Sequence, residues 1–170
     1  MKTKKIALYG LLTAVALLLS YLEAQLPAFV AIPGIKLGLT NLVVLVTLYR
    51  MGSGAALRIN AVRILLAALL FGSGASLAFS AAGGILSTLV MIGLKKTGRF
   101  RVIPVSIAGG VAHNVGQILA AMVLLGTEKL AWTLAVLWFS GMIAGAVIGL
   151  LGGLLCRRLQ AIADRGGPWA

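Results

Sequence analysis

The spacing of the apolar runs constrains this chain more than any other feature. Six can be drawn, at about 6–22, 35–49, 55–71, 75–94, 102–125 and 130–155. The breaks fall at Pro27 and Pro33, at Met51-Gly52-Ser53-Gly54, at Gly72-Ser73-Gly74, at Lys95–Arg101 and at Gly126–Lys129. A hydrocarbon core about 30 Å thick takes roughly 20 mostly apolar residues per helical crossing. In lipid a helix satisfies its own backbone polar groups. The 170 residues therefore read as one integral membrane domain, 1–170, an all-α bundle of six transmembrane helices with short loops. A 61% hydrophobic share and a mean hydropathy of +1.08 exclude an ordinary soluble domain. No length remains for an extramembrane catalytic domain.

Charge gives the orientation. Fifteen Lys and Arg against three acids leave a net +12, which in a soluble protein would raise the question of nucleic acid. Here it is topological. With the N-terminus inside the cell, Lys2, Lys4, Lys5, Arg50, Arg58, Lys95, Lys96, Arg99, Arg101, Arg157, Arg158 and Arg165 all fall on the cytoplasmic side. Lys36 and Lys129 fall outside, and Arg63 lies within a span. The positive-inside rule thus favours an even number of crossings in a bacterial inner membrane, with both termini cytoplasmic. The basic start resembles a secretory signal, but no small-x-small cleavage site follows it. Residues Asp164–Ala170 form a short, Gly-rich tail expected to fray. Cys156, the single cysteine, has no internal disulfide partner, and one Cys with one His gives no zinc spacing.

Small residues mark where helices approach closely. Gly141, Gly145, Gly149 and Gly153 recur every four residues and predict a continuous groove down the last helix. Ser76, Ser80, Gly84 and Thr88 form a similar ridge on the fourth span, and Ala112, Gly116 and Ala120 on the fifth. On the first span, Gly10 with Ala14 and Ala16 with Ser20 offer faces to a partner helix.

Polar groups at membrane depth are costly unless paired or hydrated, so they point inward and become functional candidates. They are Glu23, Gln25, Thr40, Asn41, Asn60, Arg63, His113, Asn114 and Gln117. His113, Asn114 and Gln117 are spaced to share one side of the fifth helix. Glu23 is the acid placed to neutralise Arg63. With Lys36 just outside the second span, these groups predict one pocket opening outward. Lys36, Asn41, Arg63, His113, Asn114 and Gln117 are its expected substrate-binding set. The alternative is that the amides and the imidazole only tie helices together.

The runs "PGIKLGLTNLVVLVTLY" (Pro33–Tyr49), "LRINAVRILLAALLFGSGASLAFSAAGGILSTLVM" (Leu57–Met91) and "GGVAHNVGQ" (Gly109–Gln117) resemble the bacterial Gx transporter family, also called heptaprenyl diphosphate synthase component I. The resemblance covers about Leu18 to Leu125. That family is similar to the substrate-binding S components of energy-coupling factor (ECF) transporters. The resemblance implies a six-helix binding subunit that borrows energy from a coupling protein and a pair of ATPases. S components commonly dock through an Ala-x-x-x-Ala step on the first helix, where this chain has Gly10/Ala14 and Ala16/Ser20.

The residues also limit the chemistry. Prenyl synthases hold magnesium and diphosphate with clustered aspartates, and this chain has one aspartate, Asp164. It has no GxxxxGK[ST] loop for ATP. Neither a catalytic residue nor a cofactor or metal is expected. The leading expectation is substrate capture for uptake of a small anionic or polar molecule. The second is a non-catalytic membrane subunit of a soluble prenyl diphosphate synthase. The third is a proton-coupled carrier relaying through His113 or Glu23.

Overall fold

The computed structural model describes residues 2–25, 38–126 and 132–165, so Pro27, Pro33, Lys36 and Lys129 lie outside the described residues. Six helices form: α1 (Lys2–Gln25), α2 (Leu39–Met51), α3 (Ser53–Phe71), α4 (Gly74–Lys96), α5 (Val102–Leu125) and α6 (Thr133–Ala163). Five of them are long and apolar enough to cross a membrane, and the exception is α2. Large apolar side chains such as Leu69, Val123 and Ile143 point outward, 81%, 82% and 68% exposed. A soluble protein would not leave so wide an apolar surface bare, and this is a membrane protein.

Helix ends follow propensity, not hydropathy. α5 begins and ends with its apolar run, whereas α1, α4 and α6 run on through Lys4 and Lys5, Lys95 and Lys96, and Arg157 and Arg158. Lys and Arg are good helix formers, so a basic cluster marks where the helix leaves the apolar layer. α6 therefore continues to Ala163, beyond the expected end near 155.

The second span departs most from expectation. Where a crossing over 35–49 is expected, the described residues show a 13-residue helix that starts at Leu39, after Gly38 in the left-handed region at φ 71°. At 1.5 Å per residue it is about 20 Å long, short of a bilayer core. The other five helices form an arc in the order α1, α3, α4, α5, α6, and α2 lies in its hollow, touching every one of them. Thr40, Asn41 and the run Val43–Leu48 are buried, which covers nearly the whole circumference. A helix enclosed by protein does not need the length of one that faces lipid.

Short connections alternate the helix directions. Gly52, at φ 94°, is both the end of α2 and the start of α3 and donates to Thr47 O at 3.1 Å. A side chain at that φ would strain the reversal. The α3–α4 turn is closed by a reciprocal capping box between Ser73 and Ser76.

The apolar core gathers around the C-terminal half of α2, where Leu45 and Leu48 meet Ala56, Met91, Val105 and Ile148. At the same end lie the basic clusters. Arg50 bonds Gln160, Lys95 Nζ donates to Leu48 O at 2.5 Å, and Arg58 lies 5.3 Å over the Tyr9 ring.

α5 and α6 meet backbone to backbone. A Cβ at Gly145 would come within 2.7 Å of Ile107 Cα, and one at Gly149 within 2.9 Å of Ile103 Cα. Gly141 faces Gly110 and Val111 in the same way. The groove ends there, because a Cβ at Gly153 would meet nothing within 4 Å, while Gly152 takes the contact with Leu45. On α1 the two small-residue steps part company. Ala16 is fully buried against Val43 and Ile59, so it serves the bundle interior and offers nothing to a partner. Gly10 and Ala14 stay exposed.

Candidate functional site

Among the described residues, the short α2 fills the hollow of the arc only part of the way. Over its N-terminus remains a cavity of about 310 Å³, bounded by the end of α1, the end of α3, the start of α4 and the middle of α5. This is the end of the bundle opposite the basic clusters.

The floor is polar. Arg63 of α3, 5% exposed, donates from Nε to Asn60 Oδ1 at 2.9 Å and from Nη1 to Ser20 Oγ at 3.4 Å. Asn60 in turn donates from Nδ2 to Gly84 O at 2.9 Å and to Thr88 Oγ1 at 2.8 Å, which pins the arginine to α4. The absence of a Cβ at Gly84 lets this happen, since one would lie 3.2 Å from Arg63 Nη2. Nη2 itself has no hydrogen-bond partner among the described residues.

On the α1–α2 side the Ser20 and Thr40 hydroxyls are 3.2 Å apart. Thr40 donates to Glu23 Oε2 at 3.4 Å, and Gly38 N donates to Glu23 Oε1 at 2.5 Å. A carboxylate beside the N-terminus of a helix suits the local dipole. The expected Arg63–Glu23 pairing is therefore indirect, relayed by the Ser20 and Thr40 hydroxyls. Ser20 thereby belongs to the cavity wall and not to an outer docking face.

His113, 6% exposed, reaches the same cavity from α5, and Asn41 reaches it from α2. The other two members of the expected trio do not line it. Asn114 donates to Leu137 O at 2.7 Å and to Ser140 Oγ at 3.3 Å, and so ties α5 to α6. The cause is geometric: consecutive helical residues are turned about 100° apart, so Asn114 faces α6 while His113 and Gln117, four apart, face α4. Gln117 packs on Gly83, where a Cβ would come within 2.8 Å of its Cγ. It is buried, and neither amide atom has a hydrogen-bond partner among the described residues. Lys36 lies outside the described residues.

The remaining walls escaped the sequence reading. Ile64, Ala67, Ala68 and Phe71 of α3 form an apolar side, and Ser73, Ser76 and Ser80 of α4 form a hydroxyl side. Ser76 and Ser80 read from sequence as a packing ridge, since small residues carry the same signal in either role. The chemistry on offer is recognition: one cation, one anion, an imidazole, an amide and hydroxyls around a small volume.

No curated protein and no solved structure matches the chain. A family match does cover most of it, over residues 12–155, and the family is described as heptaprenyl diphosphate synthase component I. Every cavity residue named above falls inside the matched stretch, and by that match the chain belongs to the heptaprenyl diphosphate synthase component I family.

Proposed function

We propose that the chain is a non-catalytic membrane subunit that binds a small polar or anionic molecule in the cavity over α2. The observation that supports it most is Arg63, a charge held 5% exposed at the cavity floor by Asn60 of its own helix and Ser20 of α1, with Asn60 anchored in turn to α4. Burying a guanidinium at membrane depth costs several kcal/mol, and a pure packing role is met more cheaply by an apolar side chain. Asn41, Thr40 and His113 add directional hydrogen bonds. In its transport form, like an ECF S component, the subunit captures its ligand from outside, and a coupling protein with ATPases drives release inward.

The family description favours a second reading, and of the two it has the comparison on its side. Here the chain is component I of a prenyl diphosphate synthase, a membrane subunit associated with a soluble catalytic partner. The lone Asp164 supports assigning the chemistry to that partner. Both readings make the chain a membrane-embedded, non-catalytic subunit.

Native mass spectrometry of gently extracted protein separates them, comparing wild type with Arg63→Ala and His113→Ala. A bound metabolite lost from both variants supports the capture reading. A stoichiometric soluble prenyl synthase retained in all three supports the second. Neither metabolite nor partner in any sample refutes both.

A further inference from the structure

The charge and shape of the cavity narrow its ligand beyond "polar or anionic". Resting on the binding-subunit reading, we infer that the cavity takes a molecule with one carboxylate-like negative charge on a short apolar body, and that it does not hold a diphosphate.

The charge balance comes first. Among the described residues lining the cavity, Arg63 and Glu23 are the formally charged ones, and they cancel. The N-termini of α2 and α4 border the cavity through Gly38 and Thr40 and through Ser73 and Ser76. Each contributes roughly half a positive charge. The favourable field of the described residues thus matches about one negative charge. A phosphate monoester carries about −1.5 to −2, and a diphosphate carries more and ordinarily comes with magnesium.

The donors agree with that balance. Arg63 lines the cavity, and its planar guanidinium is held in place by Asn60 and Ser20. A guanidinium of this kind suits a flat carboxylate. Shape sets the rest. About 310 Å³ is at the lower end for small-molecule pockets. Ile64, Ala67, Ala68 and Phe71 offer an apolar wall for a compact body, and Phe71 is braced edge-on by Tyr21 with centroids 5.4 Å apart.

The test uses full-length protein in lipid nanodiscs and a matched probe set: phenylacetate, phenyl phosphate, geranyl diphosphate with magnesium, and inorganic pyrophosphate. Thermal protection is read as a saturable shift at millimolar probe. Phenylacetate is expected to protect wild type and to lose at least about 10-fold in affinity in Arg63→Gln, about 1.4 kcal/mol. Phenyl phosphate and both diphosphates leave wild type unshifted. In Glu23→Gln, which keeps an oxygen for Gly38 N but removes the negative charge, phenyl phosphate gains protection. That readout responds to charge and is indifferent to packing, so it holds even if Arg63→Gln folds poorly. Arg63-dependent protection by a diphosphate stronger than by phenylacetate overturns the inference and leaves the binding reading standing. No protection by any probe likewise overturns the inference, while the binding reading stands or falls on the native mass spectrometry above.

Discussion

Asn114 and His113 are chain neighbours with different work, and one substitution at each tells them apart. Asn114 is 3% exposed, and its amide spans to the Leu137 carbonyl on the facing helix. Hydrogen bonds of this kind between membrane helices contribute about 0.6 kcal/mol on average and up to about 1.7. Asn114→Ala should lower stability in detergent by about that much and leave ligand retention unchanged. Ligand loss at unchanged stability would move Asn114 into the site. At this scale much was legible from sequence. Burying Arg63, Asn41 and His113 in an apolar run is expensive, and that cost shows in the sequence as polar letters among Leu and Val. Their partners were not legible. Whether an amide faces α4 or α6 depends on about 100° of helical phase against neighbours that the sequence does not place. Thr40 and Ser20, which relay between Glu23 and Arg63, look in sequence like any small polar residue.

For whole helices, the contact between α5 and α6 depends on which glycines are in it. Adding a methyl at Gly145 forces it against Ile107 Cα and Ser106 O, both backbone atoms that cannot swing aside. Overpacking of this sort typically costs 1–3 kcal/mol. Gly153 continues the same four-residue step, but its added Cβ meets nothing within 4 Å. Gly145→Ala should therefore destabilise the bundle by about 1–3 kcal/mol, while Gly153→Ala is neutral or gains up to about 1 kcal/mol of helix propensity. Parallel unfolding curves in one detergent check this, and equal losses at both sites would refute the seam as drawn. The four-residue repeat disclosed the seam but not where it ends, because that depends on α2 reaching Gly152 through Leu45. The same limit explains why the second helix reads in sequence as an ordinary span. Apolar residues around α2 look the same whether they face lipid or five other helices, and only the short helix, Leu39–Met51, hints at the difference. That shortness leaves room for the cavity.

For the molecule as a whole, orientation decides what the cavity can be for. Lys4, Lys5, Arg50, Arg58, Lys95, Lys96, Arg157 and Arg158 sit at one set of helix ends, and the cavity opens at the other. By the positive-inside rule we propose that the basic end lies in the cytoplasm and the cavity mouth outside. Uptake requires this arrangement. A soluble synthase would then meet the basic end, so the two proposed functions use opposite faces of one bundle. Single cysteines in a Cys156→Ser background measure it. Ala75→Cys sits exposed at the cavity end and Thr97→Cys exposed at the basic end. A membrane-impermeant maleimide should label Ala75→Cys on intact cells and Thr97→Cys only after permeabilisation. The reverse pattern would open the cavity to the cytoplasm. Capture from outside would then be excluded, while a cytoplasmic synthase and the ligand site would share one face.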